Sequence, residues 1–174
     1  GKAGPVERAG QRGGVEEVTG ENKIHDVVDQ LAEVAGFNMG VMVITRSGLE
    51  EHPELPRLAR HPEFAERMIV FSTVVASAQL SQLREFGVRV VDENDFDGLV
   101  VALLSMKKAD RVTVLEEAGT LTQALAKVLP PSIRVVHLAI GAQIKGILSA
   151  FIPREQLDRF DPEALGTLAR LSAA

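Results

Sequence analysis

Short runs of β-branched and aliphatic residues alternate along this chain with stretches whose apolar positions recur every three or four residues. The first kind reads as strands buried on both faces, the second as helices packed by one side. Met39 to Thr45, Met68 to Thr73, Val88 to Val91, Arg111 to Leu115 and Ile133 to Ile140 are the strand candidates. Between them, Ser77 to Phe86 is expected as a helix stopped by Gly87. Phe96 to Lys107 is expected as a helix with Phe96, Leu99, Val100, Leu103 and Leu104 on one side, and Thr120 to Val128 as a third. Upstream, Thr19 or Glu21 opens a helix carrying Ile24, Val27, Val28, Leu31, Val34 and Ala35, ended by Gly36. Leu49 to Arg67, with Pro53, Pro56 and Pro62, reads as an irregular connection holding one short helix near Pro62 to Arg67. Strands alternating with helices in this way predict an α/β fold, a mainly parallel sheet joined by crossover helices.

Length and composition narrow the picture. A chain of 174 residues, 45% of them hydrophobic, buries one substantial core. The organisation expected is a flexible N-terminal loop over 1–20, with five glycines before Val15, an α/β domain over 21–150 and a helical tail over 151–174. The tail has a helix start at Asp161-Pro162-Glu163, and a chain that begins inside a loop reads as truncated. A net charge of -5 without a Lys/Arg-rich run argues against nucleic acid as a partner. The chain has no cysteine, which removes disulfides, thiolate metal sites and cysteine nucleophiles. With no apolar span and no secretory leader pattern, no membrane partner is expected, and the location expected is cytoplasmic.

The segment Arg111 to Leu121 carries the most chemistry. A β-branched run stops at Glu116-Glu117 and restarts as a helix through Ala118-Gly119-Thr120. Such a strand-to-helix corner leaves the first helical N–H groups unpaired, with the positive end of the helix dipole behind them, so a phosphate can dock there. The plainer reading is that Gly119 makes the turn and Thr120 caps the helix. Asp92, Glu93, Asp95 and Asp97 cluster after the third strand, where carboxylates either hold Mg²⁺ or, as the composition of turns favours, shape a turn and cap the next helix. His52 and His61 flank the proline-rich segment among glutamates and suggest at most a surface metal site. His137 alternates with apolar neighbours on a strand. No metal ligand set is assigned, and neither a nucleophile elbow nor a P-loop is present.

Several of these segments resemble the reductase domain of bacterial riboflavin biosynthesis, a dihydrofolate-reductase-like fold. Gly1-Lys2 resembles the end of that family's Ser-Leu-Asp-Gly-Lys strand, and Thr19-Gly20-Glu21 with Leu31-Ala32-Glu33 its next helix. Val41-Met42-Val43, then Glu51, Pro53 and Leu55, resemble the strand and the segment after it. Leu115 to Leu121 resembles the family's Val-Glu-Gly-Gly-x-Thr-Leu cofactor loop. The resemblance spans about Gly1 to Gly146. It implies an NADPH-dependent reductase acting on a small-molecule substrate, a phosphoribosylamino-pyrimidine or related heterocycle. Gly119, Thr120 and Leu121 would contact the cofactor phosphates, Glu117 would lie in the same loop, and Ser47 and Thr73 would line the cleft. Lys2 would sit near substrate phosphate, and the catalytic group is left unassigned.

The departures from that pattern fall on the chemistry. Ile44, Arg46 and Ser47 stand where the family has glycines and a threonine, and Glu116 and Glu117 bring carboxylates to a loop meant for phosphate. A second reading therefore stands beside the first. In it a reductase-derived domain has lost the reaction and serves as a binding or assembly module, its sheet edges covered by a homo-oligomer or a partner chain. A third is an unrelated α/β domain whose Ala-Gly-Thr turn binds another phosphate.

Overall fold

The computed structural model describes residues 40–52, 55–60, 62–73, 77–106, 110–151 and 155. Among the described residues five parallel strands form one sheet: β1 Val41–Thr45, β2 Met68–Phe71, β3 Arg89–Val91, β4 Arg111–Glu116 and β5 Arg134–Ala139. Their order is β3-β2-β1-β4-β5. The helices are α1 Arg46–Glu51, α2 Leu55–Leu58, α3 Pro62–Ala65, α4 Ser77–Glu85, α5 Phe96–Ser105, α6 Thr120–Val128 and α7 Ile144–Leu148. The α/β class and the parallel sheet anticipated from the apolar runs are present.

The alternation of side chains along each strand sorts the core into two layers. Met42 and Ile44 of β1, Met68 and Val70 of β2 and Leu115 of β4 pack with Leu49, Leu55, Leu58, Phe64, Leu83 and Ile147, so α1 to α4 and α7 cover one face. Val41, Val43, Ile69, Phe71, Val112 and Val114 point the other way, onto Leu99 and Leu103 of α5 and Leu125 of α6. Helices between β1 and β3 thus lie on one side and those between β3 and β5 on the other. A right-handed crossover requires this when the strand order reverses. The reversal falls between β1 and β4, whose registers run from Val41 opposite Val112 to Ile44 opposite Leu115.

Element ends follow local chemistry. Gly87 takes φ 94°, and Gly87 N and Val88 N donate to Arg84 O and Leu83 O at 3.0 Å each, a left-handed stop for α4 with Val88 and Leu83 both buried. Asp95 caps α5 by accepting from Gly98 N at 2.9 Å, and Asp92 turns the chain before it by accepting from Asn94 N at 2.7 Å. At the other end of the molecule Gly40 N donates to Phe151 O at 2.9 Å and Arg111 Nη2 to Ala150 O at 3.1 Å. Phe151 meets Phe64 edge-on, ring centroids 5.0 Å apart. Burial lowers the pKa of Arg111, whose Nε has no hydrogen-bond partner among the described residues.

β1 ends at Thr45, where the run from Met39 is expected to stop, and Thr45 caps α1 directly, accepting from Gly48 N. Two expectations are corrected. The segment expected as irregular up to Arg67 holds the rest of α1 and α2 besides the short helix expected near Pro62, which is α3; Pro56 and Pro62 lie in the first turns of α2 and α3, where a missing N–H costs nothing. Leu104 does not join Leu99 and Leu103 inside: it is 53% exposed. The loop over 1–20, the helix of Ile24 to Ala35, Lys2, His61 and the helix start at Asp161 lie outside the described residues.

Gly48 marks a close approach. A Cβ there would stand 2.8 Å from Leu115 Cγ and 2.9 Å from its carbonyl oxygen. Gly48→Ala is expected to destabilise the fold by about 1–3 kcal/mol through overpacking against β4, read as a lower midpoint in urea unfolding with an unchanged slope.

Candidate functional site at the carboxyl edge of the sheet

In doubly wound sheets ligands sit outside the carboxyl ends of the strands, at the point where strand order reverses. Here that point lies between Thr45 at the end of β1 and Glu116 at the end of β4. Ser47 follows β1, Thr73 follows β2 and Gly119 with Thr120 and Leu121 follows β4, so the fold brings these sequence-selected residues to one edge.

The gap between the two central strands is closed. Thr45 Oγ1 donates to Leu115 O at 2.6 Å, bridging the ends of β1 and β4. Ser47 Oγ lies 3.4 Å from Thr45 Oγ1. Half-buried Ser47 is turned toward the strand end, while Arg46 is exposed.

At the β4 corner, Gly119 rather than Thr120 is the residue before the helix. It adopts φ 84° and ψ 7°, in the left-handed region that favours glycine, and offers no side chain to cap α6. The capping is done from upstream. Glu116 Oε1 accepts from Leu121 N at 2.9 Å, and Glu116 Oε2 accepts from Thr122 N at 2.6 Å and from Thr122 Oγ1 at 2.5 Å. Glu116 and Thr122 are both buried, 6% and 9% exposed. The carboxylate therefore occupies the seat that the helix N-terminus would give to a phosphate oxygen.

Strand alternation explains why Glu116, and not its neighbour, does this. Val112 and Val114 point to the face that α6 covers, and Glu116 is the next residue of that series. Glu117 falls on the opposite parity and is exposed. Thr120 is exposed as the first residue of α6, and Leu121 is half-buried. Exposed His137, on β5, sets its Nε2 3.0 Å from Glu116 O, and its ring backs Gly119: a Cβ there would stand 3.3 Å from His137 Nδ1. The two glutamates were legible in the sequence; the parity that separates their roles was the signal left unused.

A second polar group lies along the same edge. Glu93 Oε1 accepts from Thr73 N at 3.2 Å and from Thr73 Oγ1 at 2.8 Å. These two bonds, and then the charge of Arg46, hold the Glu93 carboxyl below its ordinary range despite a small opposing desolvation. Thr73 is therefore engaged with the acidic turn after β3. His52, on the far side of α1, is buried, with Nε2 2.5 Å from Ile140 O.

A cleft of about 550 Å³ opens at the opposite, amino-terminal edge of the sheet, lined by Val41, Glu66, Arg67, Arg89 and Ser105. It lies away from the strand ends where the sequence places its chemistry. Among the described residues no group of three His, Asp or Glu is placed to hold a metal ion, and no helix is long and apolar enough to cross a membrane.

Two outcomes are expected. Glu116→Ala, which strands two buried amides and the Thr122 hydroxyl, should cost about 2–4 kcal/mol in denaturant unfolding, against about 1 kcal/mol for Thr122→Val. For Glu93 the lowered folded pKa means its contribution is fully present above the ordinary glutamate value and is lost as pH falls through the lower one. NMR titration should place its midpoint below about 4.3, the free-glutamate value, and Thr73→Val should move it upward. Compared with family models, curated proteins and solved structures, the chain matches none of them.

Proposed function

We propose that this chain acts as a non-catalytic binding or assembly module built on an α/β domain of reductase-like sequence. The observation that carries the reading is the seat of Glu116. A phosphate-binding corner needs free amides at the start of its helix, and here the amides of Leu121 and Thr122 are already bonded to a buried carboxylate of the same chain. A cofactor phosphate entering that seat would have to expel Glu116 and bury its own charge beside the displaced carboxylate. The closed β1–β4 junction adds to this. With Thr45 bonded to Leu115 O and Gly48 against Leu115, the ends of β1 and β4 are tied together where the strand order reverses.

One observation favours the second reading, an NADPH-dependent reductase of a phosphoribosylamino-pyrimidine or similar heterocycle. Ser47, Thr73 and Gly119 stand at the carboxyl edge of the sheet, the side on which such folds bind their ligands. In that reading NADPH would use the exposed Thr120 hydroxyl and the loop at Glu117, rather than the seat that Glu116 holds, and the cofactor would supply the hydride.

Titration with NADPH separates the two. The chain has no Trp, so the cofactor's own fluorescence reports binding without interference. The expected result is no saturable change up to millimolar cofactor. Saturable binding that Thr120→Val weakens, with the variant still folded by circular dichroism, would overturn the assembly reading in favour of the reductase.

A further inference from the structure

Helix α5 has an unusual outer face for a surface helix. Leu99, Val100, Val101, Ala102, Leu103 and Leu104 follow one another without a polar residue, so apolar side chains surround the helix. Only one side of it meets the sheet: Leu99 and Leu103 are fully buried, whereas Val101 is 65% exposed and Leu104 53% exposed. A helix that is apolar all round is ordinarily covered all round.

The two ends of the helix carry opposite charge. Asp97 lies one turn before Val101 on the same side of the helix and is exposed. At the far end, exposed Arg89 reaches from β3 to the last turn, its Nη1 donating to Ala102 O at 3.1 Å and to Ser105 Oγ at 2.9 Å. The outer side of α5 therefore carries an acid and then Val101 and Leu104, and a cation stands at the carboxyl end of the helix, over about 12 Å.

A stripe of this kind is complementary to itself in one orientation. When two copies meet through a two-fold axis with their helices antiparallel, Val101 packs on Leu104 of the other copy. Asp97 then faces the end that Arg89 occupies, twice over. The parallel arrangement would set Asp97 against Asp97 and Arg89 against Arg89, and like charges across an interface are repulsive. Resting on the assembly reading above, we infer that the partner is a second copy of this chain, docked antiparallel through the Asp97, Val101, Leu104 face of α5.

Because the chain has no cysteine, single introduced thiols report the geometry cleanly. Sedimentation of the full chain over a micromolar range should show a monomer–dimer equilibrium. Val101→Glu and Leu104→Lys, both at exposed positions and checked for folding by circular dichroism, should each weaken it roughly a hundredfold, since every dimer loses both copies of the contact. Mixing Val101→Cys with Leu104→Cys should give an oxidised heterodimer more readily than Asp97→Cys gives a homodimer. A monomer at all concentrations, a dimer indifferent to both charge variants, or preferred Asp97→Cys self-linkage would each overturn the inference. None of these touches the assembly reading itself, which falls only to NADPH binding in the titration above.

Discussion

The carboxylate of Glu116 under the first turn of α6 is the contact around which the carboxyl edge of this sheet is arranged. It joins the end of β4 to the helix that follows, across a corner whose backbone has a left-handed glycine and no capping side chain of its own. A helix start that is buried without a partner would leave donors unsatisfied at a cost of about 1–3 kcal/mol for each group. Meeting that need from within the chain frees the corner from any dependence on a ligand. It also turns a feature that reads as a docking point for anions into an internal brace.

The same economy of space governs the middle of the sheet. β1 is buried on both faces and flanked on both edges, so the chain leaves it with little room. At its start Gly40 lies where a Cβ would stand 2.5 Å from Ala150 O, and just past its end Gly48 lies against Leu115. These are contacts of backbone with backbone and of backbone with core, which give way less readily than the tip of a side chain. Thr45 adds a hydrogen bond across the strand ends, tying β1 to β4 at the point where the strand order reverses.

The alternation of apolar runs was enough to read the parallel sheet and the bounds of α6 from the sequence, because a strand covered on both faces has almost no other composition available to it. In the connection from Leu49 to Arg67 the helix near Pro62 is legible, whereas α2 is not, because Pro56 reads as a breaker although it lies in the first turn of that helix. Leu104 reads as inward because the run from Leu99 to Leu104 is apolar throughout, and polar residues mark the outer side only at its two ends, at Asp97 and Ser105. At the site, residue type was legible and role was not. Gly119 announced a turn and Glu116 an acid, but which of two adjacent glutamates faces the helix depends on counting parity from Val112, and Thr73 gave no local sign of its bond to Glu93, 20 residues away.

The placement of β1 has a consequence for how the molecule is made. Its register with β2 joins residues 26 apart, Met42 to Met68, while its register with β4 joins residues 71 apart, Val41 to Val112. During synthesis, which proceeds from the N-terminus, this apolar central strand emerges before either of its neighbours. It acquires the first soon after and the second only when the chain has passed through β3 and α5. Long-range parallel pairing is slow because the loop entropy is lost before the contacts are gained. Among the described strands the central one is thus the first to appear and among the last to be completed, and in that interval one of its edges stands open to any other extended chain nearby.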